Sequence, residues 1–244
     1  MRKNILLSLV KRFYRLRKTP IVCRRRGCLL LLNPKDWIDN RLLSGIDFEN
    51  RQIERCAELI KENNLNCFLD IGANIGLYSV LLPTLTDIDA VHSFEPVKST
   101  FIRLNTNLLL NGLENRVQCH NIALGEMNET AQIHIDRNST GVSAIDPELC
   151  ARSRQYSNIE TIEIARLDDF LPMKGERILA KIDVEGYTLN TLLGMKAFLQ
   201  NNEMVLQIEM GNKNDDEVKS FLNDSGYRLL NYIEGDAYFS NIGG

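Results

Sequence analysis

The segment Phe68-Leu69-Asp70-Ile71-Gly72-Ala73-Asn74-Ile75-Gly76 carries the clearest chemical signal in the chain. A short apolar run meets an acid, two glycines follow, and a second apolar run extends from Leu77 to Leu82. The pattern reads as strand, tight turn and helix start. Gly72 and Gly76 would let a ligand approach the backbone where a side chain would block it. Free N–H groups at a helix start suit a carboxylate or phosphate, and Asp70 offers an acceptor for an amino group. A second acid, Glu95, ends the run Val91-His92-Ser93-Phe94-Glu95, 23 residues after Gly72. That is close to the ~20-residue interval at which an acid meets ribose hydroxyls in doubly wound folds. Pro96 cannot continue a ladder and closes the strand.

The turn discriminates among nucleotide ligands. Ala73 follows Gly72, so the second glycine that admits a pyrophosphate is missing. Gly76 is followed by Leu77 and Tyr78, so the Gly-Lys-Ser/Thr of a phosphate-cradling loop is missing too. A ligand with a small anionic end and a cationic centre fits better, and S-adenosylmethionine (SAM) is such a ligand. An ordinary tight strand-to-helix turn is the plain alternative.

Asp70, Glu95, Asp183 and Glu209 each fall at an expected strand end, the edge at which ligands bind in such sheets. Crowded carboxylates repel and desolvate at a cost; a cationic sulfonium gives them a purpose. Asp183 and Glu185, in Lys181-Ile182-Asp183-Val184-Glu185-Gly186, are the candidate bases, Asp183 beside the cofactor and Glu185 towards substrate. They share a face if the strand runs through Glu185; otherwise Glu185 sits in a loop. Their structural alternative is a helix cap and a first-turn acid. Lys181 either orients substrate or pairs with a nearby acid. Two carboxylates can hold Mg²⁺, but no third acid stands at a suitable spacing, so no metal is expected. His92 reads as structural, His120 and His134 lack context, and the run 139–143 is a polyol contact or a surface turn.

These residues need a scaffold. Expected strands are Leu29 to Leu32, Cys67 to Leu69, Val91 to Glu95, Val117 to Asn121, Ile178 to Ile182, Met204 to Ile208 and Tyr227 to Ile233. A hairpin is expected across Met127-Asn128-Glu129. Helices fall at 50–62, 99–110, 187–199 and near 215–222, and 136–158 reads as an irregular segment that could fold over the site. Strands alternating with helices indicate a parallel-rich α/β sheet.

With those motifs in place the chain resembles the FkbM-type family of SAM-dependent methyltransferases, over roughly Asp39 to Tyr232. The resemblance rests on 68–76, Phe94-Glu95-Pro96, Asn111-Gly112-Leu113, Ala123-Leu124-Gly125, Arg166 to Phe170, 181–186 and Ile208-Glu209 in order. Thr188 departs from the Glu often found there. The resemblance implies a class I methyltransferase (Rossmann-like) fold, a seven-stranded mostly parallel sheet in the order 3-2-1-4-5-7-6 with helices on both faces. It implies O-methylation of a hydroxyl on a sugar, glycan or other small metabolite. SAM would be held by Asp70, Gly72, Asn74, Gly76, Glu95 and Asp183, with Asn121 and Ala123 beside the adenine. Residues 1–38 then form a basic arm or cap and 39–244 the catalytic domain.

Bulk composition sets limits. With 244 residues, 44% of them hydrophobic, the chain can bury one full core. Net charge is −3, yet residues 1–35 hold 11 Lys/Arg and no acid, leaving −14 on the remainder. The acidic body argues against a nucleic-acid substrate. The basic arm either lies on an anionic membrane surface, its stripe being Ile5, Leu9, Arg12 and Leu16 with Leu6 and Phe13 beside it, or caps the domain. The 6 cysteines form no C-x-x-C pair, the pattern of reduced thiols in a cytoplasmic protein. Two other functions stay open: a nicotinamide-dependent oxidoreductase, and a catalytically silent SAM-fold interaction module.

Overall fold

The computed structural model describes residues 2–136, 139, 141, 143–146, 148 and 156–243, with residues 2–6 and Ser157 as backbone only. Helix α1 (Arg2–Arg15) precedes a hairpin, β1 (Ile21–Arg25) and β2 (Cys28–Leu32), turned by Arg26 and Gly27 at positive φ of 47° and 86°. Helices α2 (Trp37–Leu43) and α3 (Asn50–Glu62) lead to the alternation β3 (Cys67–Ile71), α4 (Leu77–Leu85), β4 (Ala90–Phe94), α5 (Lys98–Leu110) and β5 (Val117–His120). An excursion follows: β6 (Ala123–Leu124), β7 (Glu129–Asp136), β8 (Tyr156–Ala165) and the short α6 (Leu167–Phe170). The alternation resumes with β9 (Arg177–Ile182), α7 (Thr188–Leu193), α8 (Lys196–Asn201), β10 (Glu203–Glu209), α9 (Asp215–Asp224), β11 (Arg228–Ile233) and β12 (Asp236–Ser240). Among the described residues, no helix is long and apolar enough to cross a membrane.

The main sheet runs β5-β4-β3-β9-β10-β12-β11. Counted in chain order within that sheet, this is the expected 3-2-1-4-5-7-6. Strand β12 runs antiparallel to both β10 and β11, and the other pairs are parallel. The pleat sorts side chains onto two faces. Phe68, Leu179 and Val205 join a core with α3, α4 and α5; Leu69, Ile178, Ala180 and Leu206 join a second core with α7, α8 and α9.

The same alternation places a polar row inside the first core. Ser93 pairs with Asp70, Asp70 with Lys181, Lys181 with Gln207 and Gln207 with Tyr238, across five neighbouring strands. None of these five side chains is more than 6% exposed. Ser93, Asp70, Lys181 and Gln207 each hold side-chain partners, and the row lies just behind the edge that forms the site.

The N-terminal hairpin belongs to this core. Leu30 and Leu32 are fully buried, each worth roughly 1.5–3 kcal/mol. Asn111 trades two hydrogen bonds with the Leu29 backbone, at 2.9 and 2.7 Å, and Asn107 accepts from Leu31 N while donating to Ile75 O. Two asparagine side chains thus stand in for a neighbouring strand. Asp39 accepts from Asn33 N and pairs with Arg103; burial nonetheless raises its carboxyl to about 6.

Two expected elements differ, and two further strands, β8 and β12, appear. Strands β6 and β7 do not form a hairpin: both pair with β8, β6 in parallel and β7 antiparallel. Strand β8, with Ile159, Thr161 and Glu163 alternating against Glu160, Ile162 and Ile164, begins at the end of the segment expected to be irregular and runs beyond it. The helix expected over 187–199 is broken at Gly194, where a Cβ would lie 1.8 Å from Gly125 O. Strand β12 lies beyond Tyr227 to Ile233, the last of the expected strands. Asn138, Thr140, Val142 and Cys150 lie outside the described residues.

Gly72 and Gly175 both have positive φ, 80° and 75°, but only at Gly72 would a Cβ strike backbone, 1.9 Å from Asp183 O. Gly175→Ala should therefore cost only the conformational ~1–2 kcal/mol. Gly72→Ala should cost at least roughly 2 kcal/mol more, read as the difference in urea-unfolding free energies; equal losses would show that close approach is not the constraint.

Candidate active site

Strand β3 ends in a bend whose backbone is left-handed at Gly72, Asn74 and Gly76, at φ 80°, 50° and 82°. Gly72 N and Ala73 N donate to Phe94 O at 3.0 and 2.9 Å, which fixes the bend against the end of β4. The glycines serve the protein's own packing. A Cβ at Gly72 would meet Asp183 O, and one at Gly76 would meet Leu104 Cδ1 at 2.4 Å. Gly72 lines the cavity and also lets the β9 end approach the bend, which brings Asp183 beside it.

Asp70 sits within β3 rather than at its tip, and is 1% exposed. Its Oδ2 accepts from Ser79 N and Ser79 Oγ, at 3.1 and 2.5 Å, tying α4 to the strand. It does not line the cavity. Glu95, one residue beyond β4, does line it. Its two oxygens accept from Asn74 N and Val97 N, both at 2.9 Å. Burial outweighs those bonds and raises the carboxyl to about 7. Asn121 turns away from the cavity: its Nδ2 donates to Glu95 O and Pro96 O, at 2.8 and 2.9 Å, and so holds Glu95 in place. Ala123 lines an apolar wall with Phe94, Val97, Ile122 and Leu124.

Asp183 follows the last residue of β9, and Glu185 stands in the loop beyond it at φ 44°. Neither caps α7, whose N-cap residue is Tyr187. Lys181 Nζ lies 2.8 Å from Asp183 Oδ2 and 5.1 Å from the Tyr78 ring centroid. Burial alone would lower the Lys181 ammonium's pKa, but the charges of Asp183, Glu49 and Asp70 hold it above the ordinary value. Lys181 therefore stays a cation and cannot be the base. Glu209, the last residue of β10, is raised to about 10 by the Asp183 charge, then by burial and the Glu185 charge. It keeps its proton at neutral pH and shares it with Asp183.

Glu209 is also the third acid that spacing alone did not supply. One oxygen each from Asp183, Glu185 and Glu209 lie within 4.8 Å of one another, a set compatible with a hard divalent cation. Here Lys181 already provides positive charge to Asp183.

Sequence reading missed Glu49. It precedes α3 at φ 54°, hydrogen-bonds Tyr78, and is raised to about 7 chiefly by burial, against the pull of Lys181. Its motif-free surroundings gave no signal. Gln207 orders the floor: its Nε2 donates to Tyr78 Oη and Asp236 Oδ2, at 3.0 and 2.6 Å, and its Oε1 accepts from Cys56 Sγ. His92 and His120 stack on each other at 5.6 Å, neither lines the cavity, and burial lowers both.

These residues surround a cavity of about 500 Å³, within the usual range for small-molecule sites. Its roof comes from two excursions, Trp37, Ile38 and Arg41 of α2 on one side and Ser139, Gly141, Ser143 and Ile145 on the other. A Cβ at Gly141 would meet Ile38 Cδ1 at 2.6 Å and Asn74 Nδ2 at 2.9 Å, so the described part of 136–158 does fold over the site. Trp37 meets Phe48 edge to face at 6.3 Å. Gln52 also lines the cavity, 5% exposed, with Oε1 lacking a protein donor. An apolar slot beside the Glu95 carboxylate, with acids beyond it, is a lining that SAM would fit.

Comparison with known proteins agrees with this geometry. The family model "Methyltransferase FkbM domain" matches residues 70–229. "Methyltransferase 1" of Beauveria bassiana (strain ARSEF 2860) is 23% identical over 168 residues, 62% of this chain and 67% of that protein. The crystal structure of methyltransferase FkbM from Methylobacillus flagellatus KT superposes with a TM-score of 0.52 at 17% identity, covering 72% of this chain but only 44% of that one. M. jannaschii TYW2 in complex with AdoMet gives 0.43 at 14% identity, over 92% and 84% of the two chains. The fold is that of class I SAM methyltransferases, and the chain belongs to the FkbM methyltransferase family.

Proposed function

We propose that this protein binds SAM in the cavity and methylates a hydroxyl of a small polyhydroxylated acceptor such as a sugar or glycan. The observation that carries this reading is the Lys181–Asp183–Glu209 cluster, a carboxylate fixed between a permanent cation and a protonated acid at the end of the cofactor bend. When bound, SAM supplies an electrophilic methyl group on a cationic sulfur. Glu95 would accept the ribose hydroxyls, and Phe94, Val97, Ile122, Ala123 and Leu124 would flank the adenine.

Asp183 is the base. A carboxylate is too weak a base to ionise an alcohol in advance, but it can take the proton as the new bond forms, for roughly 10²–10⁴-fold. Lys181 holds the Asp183 carboxyl at 2.8 Å and so fixes its direction. Aligning acceptor and donor contributes up to about 7–11 kcal/mol, and the roof residues serve that purpose. Trp37 and Phe48 offer an aromatic edge for a sugar ring, and Glu185 and Gln52 offer polar groups to its hydroxyls.

Calorimetry near neutral pH should register SAM and S-adenosylhomocysteine and no NAD; NAD binding would instead favour a hydride carrier. Ligand binding favours ionised Glu95, whose pKa in the free protein is about 7. Affinity should therefore fall by up to about tenfold per pH unit below 7 and level off above it, a dependence that Glu95→Gln flattens. A wild-type affinity independent of pH would contradict the role of Glu95.

In methyl-transfer assays across a saccharide panel, Asp183→Asn should lose at least about 10²-fold in kcat while keeping S-adenosylhomocysteine affinity. Glu209→Gln keeps a donor towards Asp183 and should lose less than about tenfold. The reverse ranking would move the base to Glu209. Activity should persist in EDTA; loss restored by Mg²⁺ would assign the three carboxylates to a metal instead. SAM binding with no transfer to any acceptor would favour the interaction module.

A further inference from the structure

We propose that α1 docks this protein onto an anionic lipid bilayer through its outer face. The helix has two apolar faces. Leu7, Val10 and Tyr14 recur at helical spacing and are half-buried towards the domain. Tyr14 packs on the first core, and Asn40 of α2 donates to Lys11 O at 3.2 Å. Leu9 and Phe13, and Leu16 just past the helix end, recur on a separate side, at 57%, 54% and 78% exposure. At 100° per residue the centres of the two faces lie about 125° apart. The inner face accounts for the helix as a cap on the domain. Among the described residues, the outer face has no such account.

Charge identifies what covers it. Residues 1–35 hold 11 basic side chains and no acid. Arg25 and Arg26 are engaged inside the fold, with the Leu43 carbonyl and with Glu54. Arg12, Arg15 and Lys18 are exposed and have no carboxylate partner among the described residues, and Arg17 lies over the Phe13 ring at 5.3 Å. Three apolar side chains flanked by free cations is the pattern that sinks into a headgroup layer, with long basic side chains reaching back to phosphates. Each cation near an anionic surface adds to the attraction. A nucleic acid would use the charge and leave the apolar stripe uncovered. The remainder of the chain, at −14, is repelled by the same surface, so only one orientation is favourable. That orientation brings the cavity near the bilayer, because α1 packs on α2 and Trp37, Ile38 and Arg41 of α2 line the cavity.

Flotation of the full chain with vesicles tests this. Wild type should float with vesicles of roughly 30% phosphatidylglycerol in phosphatidylcholine and not with phosphatidylcholine alone. L9E/F13E/L16E should weaken partitioning by about tenfold or more, and R12E/R15E should weaken it and remove its salt dependence. All five side chains are exposed, and unchanged thermal melts would confirm that the variants fold. No flotation, equal flotation with neutral vesicles, or an unaffected triple variant would each overturn the proposal. So would an RNA oligonucleotide that binds wild type and triple variant alike and strips both from vesicles, or a dimer that the triple substitution dissolves.

Discussion

The buried ammonium of Lys181 is the interaction on which the site depends. An isolated charge at that depth costs several kcal/mol, so the fold must surround it with partners. It does so from separate elements: Asp70 one strand away, Asp183 at the end of its own strand, Glu49 ahead of α3, and the Tyr78 ring from α4. The partners bring consequences of their own. Asp183, held to Lys181, presses Glu209 into its protonated form. Glu49 draws α3 to the cavity, and Tyr78 is held in turn by Gln207. A structural requirement thus gathers the groups that acid–base chemistry needs.

The approach of the bend to β9 sets the second constraint. Gly72 and the Asp183 carbonyl are too close for any side chain at position 72. The Asp183 end of β9 is therefore locked in position relative to the Gly72–Gly76 bend. Glu95 is locked to the same loop through Asn74 N, and Asn121 braces the turn behind it. In the proposed reaction, cofactor and base would be referred to one rigid frame, the condition under which alignment is effective.

Much of this was legible in the sequence. The strand-bend-helix unit, Glu95, and the Lys-Ile-Asp-Val-Glu-Gly run are local patterns whose spacing carries meaning, and the alternation of strands and helices gave the sheet. The reasons assigned to some residues were not legible. Asp70 and Asn121 look like ligand contacts by position but act on protein partners, because burial and hydrogen bonding are tertiary facts. Glu49 and Gln52 come from a helix start with no motif, and only packing carries them to the cavity. Glu209 was visible as a strand-end acid, yet its partnership with Asp183 spans two strands and leaves no mark in spacing. Strand β8 alternates only weakly, because its exposed row holds Ile159 and Thr161 beside Glu163 while Glu160 stands in the inward row; the stripe on α1 was legible, but its second apolar face, towards the domain, was not.

The central claim is that Glu209 keeps a proton at neutral pH because Asp183, beside Lys181, carries the negative charge. Carbon-13 NMR of protein labelled at Glu and Asp carboxyls tests it most directly. The account predicts one glutamate resonance that remains in the carboxylic-acid form above pH 8, titrates near 10 and vanishes in Glu209→Gln. A Glu209 resonance that is ionised by pH 6 would contradict it.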